Sequence, residues 1–289
     1  MMAARTRSRR LICLVRVSTR PRPSTTYNSP TIGPQTRSAG PCAQRYRALT
    51  FGDESEFVHP LGAYTAYFTS PEPLDTNGWF VIYNSPDGRS VGVRPSGPHS
   101  AQAMLSFCSP PQRYDRRDVA EQKRIVAEVF RDLEWETPRL LHAMSDASDF
   151  YFDLIGQVRM PRWAQDRVAL LGDAGYSPSP LTGLGTCLAL VGAYVLAGEL
   201  AAADGDHLVA FARYEVALRD YVKQCQQLPP NGVAGFLPRS RVALWLRNQS
   251  MRMLTAWPWR QLAAGMFHKA DAIVLQDYQA VLHGYSRAA

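Results

Sequence analysis

One carboxylate and two glycines have the type and spacing that could support chemistry. Asp173 follows the mostly aliphatic run Arg167–Leu171, which stops at Gly172 and predicts a short buried strand ending in a turn. In open α/β sheets, ligands bind beyond the carboxyl ends of the strands. The Asp173 carboxylate could therefore accept hydrogen bonds from ligand hydroxyl groups, such as those of a sugar or a sugar alcohol.

The segment after Asp173 predicts a stiff loop that leads into a helix. Pro178 and Pro180 restrict the loop, and Gly183-Leu184-Gly185 begins an apolar helical run. The two glycines allow the backbone to approach a ligand closely. A helix N-terminus carries roughly half a positive charge and unpaired amides, so this end suits an anionic oxygen or a ring that becomes anionic during a reaction.

The elements that must position these residues include a predicted antiparallel sheet. Short alternating or aromatic-rich runs occur at Leu61–Thr69, Gly78–Ser85, Ser90–Pro95 and Ala101–Phe107. The turn at Asn84–Gly88 contains proline and glycine and predicts a hairpin. Several aromatic residues lie along this sheet, among them Tyr64, Tyr67, Phe80 and Tyr83. They predict either core packing or a platform for a flat ligand.

The other elements predict an α+β fold with one strand-turn-helix unit of α/β type. Helices are predicted at Asp118–Arg131, Thr137–Met144, Asp206–Gln227, Arg241–Met253 and Gln261–Ala272, and a further strand at Phe150–Met160. Asp118 and Asp206 occupy N-cap positions. This order predicts a basic tail (1–46), a sheet domain with capping helices (47–160) and a helical part that contains Asp173 (161–289).

The charge of the chain is unevenly distributed. The whole chain of 289 residues has a net charge of +7, but residues 1–50 contain ten arginines and no Asp, Glu or Lys. The remaining 239 residues therefore have a net charge of −3. The basic isoelectric point comes from one end of the chain and does not indicate a nucleic-acid surface.

Residues 1–46 are rich in Arg, Ser, Thr and Pro, and this composition predicts disorder. An organellar transit peptide shares the Arg-rich and acid-poor character, but the prolines disfavour its amphipathic helix. A secretory signal is less favoured, because the apolar run Leu11–Val17 is short and contains Arg16. A solvated tail, or an upstream region wrongly joined to the coding sequence, is the preferred interpretation.

The cysteines and histidines do not indicate a metal site. The five cysteines show no CxxC or Cys/His spacing, and the six histidines form no HxxxH or HExxH pattern. We expect no bound metal, no dense disulfide framework and a reduced, cytoplasmic location.

Two other interpretations of the region around Gly183 compete with a ligand site. Between Asp173 and Glu199 the chain carries no formal charge, which leaves a membrane helix open, but the apolar core 184–198 is shorter than the ~20 residues of a typical span. Gly183 and Gly185 also begin a partial GxGxxG pattern. Its third position is Leu188, and eleven residues separate the pattern from the preceding strand, so a dinucleotide fingerprint is not supported.

From about Arg47 to Tyr278 the sequence resembles the second half of the flavin-dependent monooxygenases related to aromatic hydroxylases, the group that includes para-hydroxybenzoate hydroxylase. The resemblance rests on Gly172-Asp173-Ala174, Pro180 and Gly183-Leu184-Gly185 at matching intervals. It implies that Asp173 hydrogen-bonds the ribityl chain of FAD and that Pro180 lies near the flavin ring. It also implies that the amides of Gly183 to Thr186 meet the pyrimidine edge. The implied FAD-binding residues are Gly172, Asp173, Ala174, Pro180, Gly183, Leu184, Gly185 and Thr186.

The resemblance also implies a reaction. FAD is reduced by NADPH or NADH, and one oxygen atom of O2 is transferred to a small, often aromatic, organic substrate. The sheet would wall the substrate pocket, which makes Tyr64, Tyr67, Phe80 and Tyr83 candidate substrate contacts. No catalytic acid or base is identified.

The sequence departs from the family pattern in three places. Cys187 stands where the family usually has Asn, and Gly192-Ala193 where it has Asp-Ala. Before Phe51 there is neither a GxGxxG unit nor the family's internal motif ending in Asp-Gly. We therefore expect a truncated monooxygenase-like chain that holds FAD weakly or not at all and is inactive alone. A non-catalytic remnant and a membrane-associated helical protein stay open as alternatives.

Overall fold

The computed structural model describes residues 12–15, 47–72, 74, 76–97, 99–255 and 273–279. Its strands are β1 (Ile12–Val15), β2 (Val58–Ser70), β3 (Phe80–Ser85), β4 (Arg89–Pro95), β5 (Ala101–Cys108), β6 (Tyr151–Val158), β7 (Ala164–Gln165) and β8 (Val168–Ala169). Its helices are α1 (Glu54–Phe57), α2 (Val119–Phe130), α3 (Thr137–Asp146), α4 (Asp173–Tyr176), α5 (Gly185–Ala202), α6 (His207–Cys225), α7 (Gly232–Phe236) and α8 (Arg241–Thr255). A 3₁₀ turn covers Pro180–Thr182.

The described residues divide into two compact units. The sheet unit contains 12–15, 62–154 and 233–253, and the helical unit contains 47–61, 155–232, 254–255 and 273–279. The α+β fold class expected from the sequence is confirmed by the large antiparallel sheet and the separate group of helices.

The main sheet has the strand order β1-β3-β4-β5-β2-β6. The pairs β1–β3, β3–β4, β4–β5 and β2–β5 are antiparallel. The predicted hairpin is confirmed, since β3 and β4 pair from Val81 opposite Val93 to Ser85 opposite Arg89. The strand Ile12–Val15 lies within the segment for which the sequence predicted disorder, and the other residues before 47 lie outside the described part of the chain.

One face of the sheet carries the core of the sheet unit. Alternate residues of β2 and β5, including Tyr64, Phe68 and Phe107, pack with Val126 of α2 and Leu140 of α3. Strand residues alternate between the two faces, so the residues between these positions point to the opposite side.

The helices begin where the sequence predicts. Asp118 caps α2 by accepting a hydrogen bond from the Glu121 amide at 2.9 Å. Asp206 caps α6 by accepting from the amides of Leu208 and Val209. These short polar side chains satisfy amides that lack an acceptor inside the helix. The predicted helix Gln261–Ala272 lies outside the described residues.

The core of the helical unit forms around α5 and α6. Its buried members include Trp163, Tyr176, Leu188, Val195 and Tyr214. Trp163 packs edge-on against Tyr176 with ring centroids 4.8 Å apart. The Tyr176 and Tyr214 hydroxyl groups are 2.9 Å apart, and Tyr214 also donates to the Leu170 carbonyl. The polar tips of these rings are therefore paired inside the core.

The strand predicted at Arg167–Leu171 is shorter in the structure. Only Val168–Ala169 is extended, and it pairs antiparallel with Ala164–Gln165 in a two-stranded hairpin. Asp166, with a φ of 51°, forms the tight turn between them. Within the described residues, the Asp173 turn thus follows a small hairpin and not a strand of a parallel sheet.

Candidate functional site

Gly172 makes the sharp turn that presents Asp173. Its φ is +61°, and a side-chain carbon at this position would lie 3.0 Å from Cβ of Ala189 on α5. The Gly172 carbonyl accepts hydrogen bonds from the amides of Gly175 and Tyr176 at 3.1 and 2.9 Å. Glycine therefore meets two requirements here, the left-handed backbone and the close approach of α5.

The Asp173 carboxyl group is half-buried. Burial raises its pKa above the ordinary value, and a hydrogen bond with the Ser177 side chain lowers the pKa in part. A buried carboxylate is costly unless hydrogen-bond donors compensate for the lost water. Asp173 is thus a strong acceptor in surroundings where the hydroxyl groups of a ligand would stabilise its charge.

The loop after Asp173 is rigid and tightly bent. Ser179, between two prolines, is buried and has a φ of +81° with ψ of 146°, a region that residues other than glycine rarely adopt. Its side chain accepts a hydrogen bond from the Leu181 amide. Gly183 is left-handed at φ +68°, and no atom lies within 4 Å of where its side chain would begin. The backbone at Gly183 is therefore open to the approach of a ligand.

The first turn of α5 lies beside Asp173. The N-cap residue Leu184 makes no side-chain capping bond, and its carbonyl accepts a hydrogen bond from the Leu188 amide at 2.9 Å. A side-chain carbon on Gly185 would lie 3.6 Å from Oδ1 of Asp173. The structure thus brings together the carboxylate and a helix N-terminus without a side-chain cap.

Two buried glutamines hold the loop in place. Gln157 Nε2 donates to the carbonyls of Pro178 (3.0 Å) and Gln226 (2.6 Å). Gln226 Nε2 donates to the carbonyls of Val158 (2.7 Å) and Tyr176 (3.3 Å). Between them, the Val158 amide donates to the Ser177 carbonyl at 3.0 Å. Three consecutive loop carbonyls are therefore fixed by β6 and by the end of α6.

Arg47 holds the other side of the Asp173 turn. The side chain is 1% exposed, and Nη1 donates to the Ala174 carbonyl at 2.5 Å. Nη2 forms an ion pair with Glu54 at 2.7 Å. The sequence does not indicate these roles of Arg47, Gln157 and Gln226. Most of their hydrogen-bond partners lie 50 or more positions away along the chain, and no local sequence pattern marks the three residues.

The candidate substrate residues of the sheet divide between the two faces. Tyr64 and Tyr83 are 2% and 3% exposed and belong to the core of the sheet unit. Tyr64 packs against both Phe107 and Phe152, and its hydroxyl group accepts a hydrogen bond from the Gln112 amide. Their contacts are those of core residues.

Tyr67 and Phe80 lie on the opposite face and are half-buried. Tyr67 stands opposite Met104, and Met104 stands opposite Gly92. A side-chain carbon on Gly92 would lie 3.0 Å from both Met104 and Phe80. Because glycine has no such carbon, the side chains of Met104 and Phe80 can both pack over this position. This face therefore presents an aromatic surface around Gly92.

A row of small polar side chains crosses the same face. Cross-strand pairs join Asn84 to Ser90, Ser90 to Ser106, and Ser106 to Thr65. The Thr65 and Ser106 hydroxyl groups are 2.9 Å apart, whereas the Asn84 amide and the Ser90 hydroxyl group are buried without a partner among the described residues. The alternation of the strands could have indicated this row from the sequence.

Of the described helices, Gly185–Ala202 is long and apolar enough to cross a membrane, a criterion of length and composition only. In the structure this helix buries Leu188 and Val195 in the core of the helical unit. A side chain on Gly192 would collide with the Tyr176 hydroxyl group. These contacts place one side of the helix in the core of the helical unit.

Comparison with known proteins identifies the family. A family model described as an FAD binding domain matches residues 54–208. A flavin-dependent monooxygenase from Legionella longbeachae is 40% identical over 213 residues, which are 71% of this chain and 52% of that protein. A monooxygenase from Cercospora beticola is 36% identical over 233 residues, which are 76% of this chain and 55% of that protein. Among solved structures, tetracycline destructase Tet(55) has a TM-score of 0.61 at 36% identity, over 81% of this chain and 59% of that chain.

The matched region belongs to the FAD-binding-domain family, as found in flavin-dependent monooxygenases. The chain belongs to the family of flavin-dependent monooxygenases, and the resemblance inferred from the sequence is confirmed. The chain spans about half the length of the curated relatives it matches.

Proposed function

We propose that this chain holds the flavin end of FAD and takes part in the NADPH- or NADH-dependent hydroxylation of a small organic molecule by O2. The observation that carries the proposal is the position of the half-buried Asp173 carboxylate beside the start of α5, 3.6 Å from the Cβ position of Gly185. The Asp173 carboxylate can accept hydrogen bonds from hydroxyl groups, and the amides at the start of α5 can donate hydrogen bonds to an electron-rich ring edge.

Eight residues would bind the cofactor: Gly172, Asp173, Ala174, Pro180, Gly183, Leu184, Gly185 and Thr186. Asp173 would accept hydrogen bonds from the ribityl hydroxyl groups, and the amides at the start of α5 would face the ring edge that becomes negative on reduction. Gly183 leaves the backbone open for close contact. FAD, when bound, supplies the redox chemistry and the activation of O2. The protein orients the ring and stabilises its charge.

The substrate would meet the sheet face that carries Tyr67 and Phe80. This face combines the aromatic residues with the buried Asn84 amide and Ser90 hydroxyl group, which have no hydrogen-bond partner in the described part of the chain. An aromatic surface with neutral donors and acceptors suits a flat, uncharged molecule that carries carbonyl or hydroxyl groups. Tyr64 and Tyr83 are buried in the core and would support this surface from behind.

Flavin titration tests the proposal. FAD is added to the purified chain, and binding is followed by flavin absorbance and fluorescence. Asp173→Ala removes the acceptor of the ribityl hydroxyl groups, so we expect the dissociation constant to rise by about tenfold or more. Asp220→Ala, at an exposed aspartate of α6, is the matched control and should bind as the original chain does.

Two outcomes would count against the proposal. If the Asp173→Ala variant bound flavin as tightly as the original chain, Asp173 would not be a flavin-binding residue. A chain that stays colourless with FAD at micromolar concentration would favour a non-catalytic member of the family. Oxidation of NADPH that depends on added organic substrate would extend the proposal from binding to catalysis.

A further inference from the structure

Helix α8 carries an apolar stripe on its exposed side. The helix begins after Ser240, whose side chain accepts a hydrogen bond from the Ala243 amide at 3.1 Å. Leu244 and Asn248, one turn apart, are buried. The opposite side carries four apolar residues that are between 53% and 67% exposed: Val242, Trp245, Leu246 and Met253. At 3.6 residues per turn they fall within a sector of about 100°.

Arginines border this stripe. Arg241 and Arg252 are exposed and project next to Trp245 on the helix surface. Arg252 also donates to Gln249 Oε1 at 3.3 Å, which keeps its side chain along the helix. The helix contains three arginines and no acidic residue. An exposed apolar stripe with a basic border is typical of helices that lie in a membrane interface.

The positive charge extends well beyond the helix. Residues 221–270 contain no Asp or Glu, and they contain seven basic residues: Lys223, Arg239, Arg241, Arg247, Arg252, Arg260 and Lys269. The same region holds three of the six tryptophans of the chain, Trp245, Trp257 and Trp259. Tryptophan is enriched at the boundary between lipid and water, where its ring is apolar and its N–H group is hydrated.

We propose that the stripe of α8 (Val242, Trp245, Leu246 and Met253), together with Arg241 and Arg252, docks on the surface of an anionic lipid bilayer. The apolar side chains enter the boundary of the acyl chains, and the arginines remain at the level of the lipid phosphates. The helix lies in the plane of the surface and does not span the bilayer. This association is independent of α5 and of flavin binding.

Charge favours a lipid surface over a second copy of this chain. Two copies that met through α8 would bring two acid-free, basic segments together, and like charges at an interface oppose association. An anionic bilayer supplies the complementary charge and attracts each basic residue that lies near its surface. The apolar stripe therefore matches the acyl chains of such a surface, and the arginines match its phosphate groups.

Vesicle flotation of the full chain tests this proposal. The vesicles contain phosphatidylcholine alone, or phosphatidylcholine mixed with phosphatidylglycerol. We expect binding to the mixed vesicles, little binding to phosphatidylcholine alone, and weaker binding as salt is raised. Arg241→Gln with Arg252→Gln should weaken binding to the mixed vesicles about tenfold or more. Trp245→Ser with Leu246→Ser should have an effect of similar size.

Matched variants separate the stripe from general hydrophobicity. Leu208→Ser with Val216→Ser changes two apolar residues of α6 that are 66% and 80% exposed, and it should leave vesicle binding unchanged. The arginine variant keeps every apolar side chain of α8, so we expect it to fold as the original chain does. Far-ultraviolet circular dichroism checks the folding of each variant. Absence of binding, equal binding to both kinds of vesicle, or binding by either α8 variant as strong as that of the original chain would overturn the proposal. Concentration-dependent dimers in sedimentation that Trp245→Ser with Leu246→Ser abolishes would assign the stripe to a second copy instead.

Discussion

At Asp173 the fold makes a carboxylate harder to ionise. Burial raises its pKa above the unfolded value, and the Ser177 hydroxyl group only partly opposes the effect. As pH rises, the unfolded chain therefore loses this proton before the folded chain does. The contribution of the group to stability is fully present below the unfolded pKa and is lost as pH rises through the folded pKa. At neutral pH the Asp173 charge therefore destabilises the unliganded protein, and a ligand that donates hydrogen bonds to the carboxylate would offset this cost.

Replacing this carboxylate should stabilise the unliganded chain. We expect Asp173→Asn to have a larger free energy of unfolding than the original chain at neutral pH, because the amide removes the buried charge. The difference should shrink as pH falls through about 4 and disappear at about pH 3 or below, where the carboxyl group is protonated in both states. Urea unfolding at several pH values measures it. Asp220→Asn, at an exposed position, should show little effect, and a stability loss in Asp173→Asn at neutral pH would contradict the argument.

At the level of elements, the loop before α5 depends on strand β6 and helix α6. Gln157 lies on β6, and Gln226 directly follows α6. Arg159 donates to Gln157 Oε1 through Nε and Nη2 at 3.1 and 2.7 Å, which fixes the orientation of the Gln157 amide. The Gln226 amide is fixed by its two carbonyl acceptors. The conformation of the loop is therefore set by residues outside it.

Loss of the Gln226 amide should loosen this loop. Gln226→Leu keeps a side chain of similar size but leaves the buried carbonyls of Val158 and Tyr176 without their donor. We expect a loss of about 1–3 kcal/mol in the free energy of unfolding. Faster hydrogen exchange at residues 173–186 should accompany it. Gln227→Leu, at the exposed neighbouring position, is the control, and equal exchange in both variants would contradict the role of Gln226.

Helix α5 requires glycine where it crosses the core. A side-chain carbon on Gly192 would collide with the Tyr176 hydroxyl group and lie 3.0 Å from Leu171. Gly192→Ala should therefore destabilise the chain by about 1–3 kcal/mol, because a packed core does not accept extra volume without distortion. Thermal and urea unfolding measure the effect. Ala193→Ser changes the next, exposed residue, and it should leave the transition almost unchanged. An unaltered transition in Gly192→Ala would show that α5 can move away from Tyr176.

At the scale of the whole molecule, β1 covers an edge of the main sheet. Ile12–Val15 pairs with β3 along four residues. Without β1, the row of backbone groups on β3 would lie at the edge, and β3 is the apolar sequence Phe-Val-Ile-Tyr-Asn-Ser. An uncovered apolar edge strand promotes pairing between chains. This strand gives the basic N-terminal segment a structural role that its composition does not indicate.

Removal of residues 1–46 should increase aggregation. The shortened chain lacks β1 and loses nine arginines, so it has both an open edge and a net charge closer to zero. Light scattering at increasing protein concentration measures the effect. A chain that lacks only residues 1–10 keeps β1 and is the control. Equal scattering by the two shortened chains would indicate that β1 does not protect the sheet.

The sequence by itself determined the elements whose causes are local. The strands β2 to β6 and the helices α2, α3, α6 and α8 follow from side-chain periodicity and from caps such as Asp118 and Asp206, which act within a few residues. The family also followed from a local pattern, since the glycine-aspartate turn, the proline loop and the glycine helix start are contiguous.

Only the tertiary structure decided which distant groups meet. It placed Gln157 and Gln226 on the loop carbonyls and joined Arg47 to Ala174 across 127 positions. It also replaced the expected strand before Asp173 with the hairpin β7–β8. Hydrogen bonds between such residues depend on the whole packing arrangement, and no periodicity records them. The residues proposed to bind the cofactor thus stay a prediction from a local sequence pattern, and the framework that holds their loop could not be predicted from the sequence.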